Sequence, residues 1–254
     1  MNTHDLYEQQ LRYIFDKEVS EPPWFECYGI LPDPFEDDAL RAFEFIERLC
    51  QQPLIDLEPY SDAQVGIGLD YVFCYQLSNG FKEANVPIKR REQALRELFT
   101  LFRDVLNPRC EAKTSAFSKD PSSKIQYICY MFWDVCPLST WMDFSGIEVG
   151  DTVARGFAGA DAEKMVAEIQ RRYANLDTET EAYYKAIASV MQRCLGLSNP
   201  ACVESGLHGL GHLAAFLPNI AVPIIDRYLA GQKDKDKDSD LANYARIART
   251  GMIL

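Results

Sequence analysis

Three side chains able to bind a metal or move a proton fall at Glu204, His208 and His212, within the run PACVESGLHGLGHLAAFL from Pro200 to Leu217. Each step of four residues advances the side-chain direction by only about 40° on an α-helix, so the three form one slanted stripe. Val203, Leu207, Leu210, Ala214 and Leu217 form a separate apolar stripe, which lets the histidine pair line a groove. Imidazoles at i and i+4 can hold zinc, copper or iron, but a catalytic centre also needs a further ligand, an open position and a base. His4 is the only other histidine, and no H-E-x-x-H occurs. The preferred reading is a short polar network in which the pair hydrogen bonds to neighbouring helices, with no metal and no cofactor. The alternative is a metal-dependent hydrolase or oxygenase using Glu204, His208 and His212. Gly206, Gly209 and Gly211 on the same stretch predict close approach of another backbone.

Other chemical signatures fail. Gly66-Ile67-Gly68 lies inside a helical pattern and lacks the third glycine of a dinucleotide fingerprint, and neither a G-x-S-x-G elbow nor a phosphate loop occurs. Cys202 and His208 are six positions apart, on different helix directions, so they do not predict a thiolate pair. The eight cysteines include no C-x-x-C, and Cys50, Cys74, Cys129 and Cys194 sit among apolar neighbours, which predicts reduced core residues. No catalytic residue is assigned, and the chain is expected not to be an enzyme.

The elements that must position these residues are helical almost throughout. Ser61 to Ser78 opens with a Ser61–Gln64 capping box and carries Val65, Leu69, Val72, Phe73 and Leu77 on one stripe. Pro87 to Leu106 is a second helix, ending before Asn107-Pro108. The run from Asp120-Pro121 to Val135 is so apolar that it should lie deep between others. Further helices are predicted from Asp161, from Thr178 with a Thr178–Glu181 capping box, from Asn199-Pro200, from Leu217 to Leu229 and from Asp238 to Thr250. The fold class is therefore all-α: stacked antiparallel helical hairpins. Residues 1–136 form an N-terminal helical region, 137–160 a connecting segment and 161–254 a C-terminal helical region, together one compact unit.

Between its capped neighbours, the Pro200 to Leu217 segment resembles one helix of HEAT-like α-solenoid repeats, the likeness being confined to the C-terminal region. That resemblance implies a scaffold that binds macromolecules and carries over no catalytic residue.

Charge then points to the kind of partner. The chain of 254 residues has 26 basic and 38 acidic side chains, a net −12 and a pI near 4.8, which disfavours nucleic acid and anionic membranes. Residues 1–62 hold fifteen acidic and four basic side chains, a net −11, whereas residues 63–118 sum to +2, 119–160 to −2 and 161–254 to −1. The same acidic segment holds ten of the thirty aromatic residues. Aromatic anchors ringed by carboxylates would steer and then hold a basic protein, and the partner-binding residues assigned on that basis are Trp24, Phe25, Glu26, Phe35, Glu36, Asp37 and Asp38. Lys89-Arg90-Arg91 stands in the first turn of its helix, where the helix dipole disfavours cations, so carboxylates of the N-terminal quarter are expected to fold back onto it.

With no apolar run of eighteen and no basic, apolar leader in the first twenty residues, a soluble cytoplasmic protein is expected. In architecture and charge the chain is similar to bacterial toxin-immunity proteins. That similarity implies an antitoxin-type inhibitor that occludes a cationic toxin domain. A general helical adaptor or assembly scaffold is the other binding function the same features allow.

Overall fold

In a computed structural model, residues 3–26, 34–35, 38–74, 76–114, 123–139, 167, 171–233 and 239–253 are described, and they contain helices and no strand. The N-terminal helices are α1 (Thr3–Phe15), α2 (Ala39–Gln51), α3 (Pro53–Leu57), α4 (Asp62–Cys74), α5 (Gln76–Glu83), α6 (Ile88–Leu101) and α7 (Lys124–Val135). The C-terminal ones are α8 (Thr178–Cys194), α9 (Pro200–Phe216), α10 (Pro218–Ala230) and α11 (Asp240–Arg249). The expected connection over 137–160 and the helix expected from Asp161 fall largely outside the described residues.

Local sequence sets most of these ends. Gln64 N–H donates to Ser61 Oγ at 3.3 Å and Ser61 N–H donates to Gln64 Oε1 at 3.1 Å, the reciprocal box expected for α4. At α9 the Asn199 side chain accepts from Ala201 N–H, with Pro200 in the first turn where its missing donor costs nothing. At α8 the cap is Asp177, not Thr178: its carboxylate accepts from the Thr180 N–H and hydroxyl, both at 2.8 Å. A charged acceptor outcompetes the neighbouring hydroxyl for the free N–H groups.

Two boundaries differ from the expectation. The helix predicted from Ser61 to Ser78 corresponds to α4 and α5, described on either side of residue 75, and α5 runs through Gly80 to Glu83. A Cβ on Gly80 would stand 2.7 Å from the Ala42 Cβ, so this glycine lets α5 lie against α2 and does not stop the helix. Nor does α6 end before Asn107: a π turn over Phe102–Leu106 carries it to Arg109. In that wider turn Asn107 N–H reaches the Phe102 carbonyl five residues back, which makes room for Pro108 without an intrahelical donor.

Packing centres on α9, which touches α7, α8, α10 and α11. Nearly every position from Ala201 to Ala214 is buried, and a helix apolar all round must be enclosed on all sides. Burial of Leu207 and Leu210 alone contributes roughly 1.5–3 kcal/mol each. In the other half α2 packs on α5 and α6, and α4 on α7. The halves join where α8 lies on α6 and α9 on α7, so one buried apolar cluster runs from Tyr7 to Ala248. No described helix is long and apolar enough to cross a membrane.

Candidate functional site

Where α7 crosses α9, Asp134 faces His208 and His212. His208 Nε2 lies 2.7 Å from Asp134 Oδ2, His212 Nε2 contacts Asp134 Oδ1, and the two Nε2 atoms are 3.1 Å apart. Burial alone would raise the Asp134 carboxyl, but hydrogen bonds and positive charge from both imidazoles outweigh it and hold the group well below the usual carboxylate range. His208 is enclosed, its side chain 1% exposed, whereas that of His212 is 38% exposed, so the pair spans from core to surface.

A second layer orients His208. Its Nδ1 contacts the Tyr244 hydroxyl from α11, and that hydroxyl also hydrogen bonds to Tyr130 from α7. The Tyr130 ring tilts against the imidazole at 4.8 Å between centroids. Burial first, then the neighbouring Tyr130 and the carboxylates of Glu204 and Asp134, push the Tyr244 hydroxyl far up, so it stays protonated. Glu204, expected as the third member of the stripe, is not in the cluster: it is buried one turn earlier, where its charge acts on Tyr130 and Tyr244. The third group is Asp134, contributed by a different helix.

Asp134 and His212 also form one wall of an open cleft of about 170 Å³, whose other walls include Trp133, Tyr173, Met191, Leu213 and Phe216. Gly209 makes this shape possible. A Cβ there would meet the Trp133 ring and the Met191 methyl at 2.7 Å, so only glycine lets the indole lie flat across α9. The buried Trp133 Nε1–H has no hydrogen-bond partner among the described residues. The arrangement can bind a cation with its three convergent donors, and the cleft can take a small, largely apolar group beside it.

The assigned partner-binding residues have different surroundings. Trp24 is half-buried against Tyr13, Phe25 and Tyr71, with Lys17 over its ring at 5.5 Å. Phe25 and Phe35, expected as surface anchors, are core residues instead: Phe25 packs on Tyr71, and Phe35 edge-on to Phe45. Large aromatic rings gain more from the core of this helical layer than from solvent. Asp38 is exposed but caps α2, accepting from Leu40 and Arg41 N–H. Glu26 is exposed, and Glu36 and Asp37 lie outside the described residues.

The carboxylates of the acidic quarter divide into two sets. Arg90 forms a two-pronged pair with Glu47 at 2.9 and 2.6 Å and approaches Glu44 at 3.6 Å, the fold-back expected for the basic patch on α6. Arg109 reaches Asp62, and Lys124 reaches Glu21. Asp16, Glu18, Glu26 and Glu58 are exposed and make no ion pair with any described residue. In the same quarter an open groove of about 470 Å³ is lined by Leu11, Ile55 and Tyr60 together with Arg12, Arg48, Glu8 and Asp56, and Leu54 and Ile55 are 57% and 68% exposed.

Comparison of the chain with protein-family models, with curated proteins and with solved structures finds no match. The site therefore rests on its own geometry. Asp134 was missed because sequence spacing reports only one helix at a time. Its signal was nonetheless present, since it is the only acidic residue in the apolar run KIQYICYMFWDV, and a carboxylate bordering an apolar helix face gains from a partner.

Proposed function

We propose that the chain is a cytoplasmic partner-binding protein of the immunity or antitoxin type, whose acidic N-terminal face docks a basic protein and occludes its surface. Four exposed carboxylates, Asp16, Glu18, Glu26 and Glu58, carry this reading. They are exposed and make no ion pair with a described residue, and the same N-terminal quarter exposes Leu54 and Ile55. Unpaired charge of one sign steers a cationic partner, and exposed apolar side chains give it contacts to desolvate. With a net charge of −12 the partner is a protein and not a nucleic acid. The described cysteines are free thiols, in keeping with a reducing compartment.

The test is association kinetics with the partner captured on the native chain. Binding should slow steeply between low and physiological salt, and a variant carrying Asp16→Lys, Glu18→Lys, Glu26→Lys and Glu58→Lys should associate at least about tenfold more slowly. An association rate insensitive to both salt and the four reversals would reject the docking face.

A further inference from the structure

We infer that Asp134, His208 and His212 form a binding site for one divalent first-row transition-metal ion, with an open coordination position facing the aromatic cleft. This does not depend on the docking face, whose carboxylates are Asp16, Glu18, Glu26 and Glu58.

The first argument is convergence. Ligand atoms bound to zinc at about 2.0–2.2 Å in a tetrahedral arrangement stand about 3.3 Å apart. Here Asp134 Oδ2 to His208 Nε2 is 2.7 Å and the two Nε2 atoms are 3.1 Å apart, so a modest expansion of the set admits an ion. The three donors come from two helices, α7 and α9, held rigid by the core on either side.

The second argument is how His208 is held. Its Nδ1 contacts the Tyr244 hydroxyl, which also hydrogen bonds to Tyr130, while its Nε2 is aimed at Asp134 and His212. That is the usual layout of a metal-ligating histidine, with its far nitrogen tied to an oriented oxygen.

The third argument is access. An ion held here sits on the wall of the cleft, because Asp134 and His212 line it while His208 backs the site from the core. Three protein ligands with one side open is the pattern of a site that exchanges its fourth ligand, not that of a closed structural zinc. Two imidazoles and one carboxylate suit zinc or iron(II), and exclude a preference for calcium or magnesium, which take oxygen ligands.

The experiment uses the full chain, stripped with chelator and titrated with Co²⁺ and then Zn²⁺, followed by visible absorption and calorimetry. The expected result is one saturable equivalent of Co²⁺ with ligand-field bands and no thiolate charge-transfer band, displaced by Zn²⁺. Asp134→Asn and His212→Ala, which alter the solvent-facing ligands and leave His208 in the core, should abolish that equivalent while circular dichroism shows a folded helical protein. Tyr244→Phe should weaken binding about 10–100-fold by removing the oxygen that orients His208. The proposal is overturned if folded wild-type protein takes up no saturable Co²⁺ or Zn²⁺. It is equally overturned if Asp134→Asn and His212→Ala bind as well as wild type, which would place the ion elsewhere.

Discussion

A single carboxylate can be traced from hydrogen bond to stability curve at Asp177. It is exposed, yet the backbone N–H of Thr180 and then its hydroxyl hold the Asp177 carboxyl below the ordinary value, because both donors favour the charged form. A depressed folded pKa means that the group stabilises the fold fully above its unfolded value near about 4 and loses that contribution as pH falls through the folded value. Asp177→Ala should therefore cost about 1 kcal/mol at neutral pH, read by urea unfolding. Asp177→Asn should retain most of the cap and flatten the loss of stability below about pH 4. If Asp177→Asn and wild type lose stability in parallel on acidification, the acid sensitivity belongs to other groups. The same residue shows why sequence spacing named Thr178: Asp, Thr and Glu stand close together, and the choice between neighbouring acceptors depends on backbone geometry at the helix start. Asp134 was hidden for a different reason. His208 and His212 share a helix and are visible as i and i+4, whereas Asp134 lies 74 residues before His208 and only the α7–α9 crossing brings it to them.

Helix positions were legible wherever the cause was local. The Ser61–Gln64 box, the Asn199-Pro200 start of α9 and the one buried face of α7 all follow from side chains within a turn of each other. The run of α5 past Gly80 and that of α6 past Asn107 were not, since a glycine that ends one helix can in another serve contact between two. Gly206 belongs to the second kind. A Cβ there would lie 2.7 Å from the Met191 carbonyl oxygen and 2.9 Å from the Cys194 Cβ, both on α8. Neither backbone can yield without moving a core helix, so Gly206→Ala should destabilise by about 1–3 kcal/mol. Gly196, just beyond α8, has only the Arg193 carbonyl at 3.5 Å near its Cβ direction. Gly196→Ala should stay within about 0.5 kcal/mol of wild type. Equal unfolding midpoints for the two variants would refute close α8–α9 contact as the role of Gly206.

Across the whole molecule the net charge of −12 could come from carboxylates that hold the fold together or from carboxylates that face outward, and the two sets separate by position. Glu47 belongs to the first: with Arg90 it ties α2 to α6 by a two-pronged pair, its own side chain 18% exposed. Asp16, Glu18, Glu26 and Glu58 belong to the second, with no described ion pair to lose. Charge reversal distinguishes them without reference to any partner. Glu47→Lys breaks the pair and sets two cations side by side, so it should lower stability by about 1–2 kcal/mol. Reversing the four outward carboxylates together should leave the urea midpoint nearly unchanged, since lower self-repulsion offsets small local losses. A large loss in the fourfold variant would mean that these groups stabilise the protein's own helices, and the docking face would then lack the free charge on which it depends.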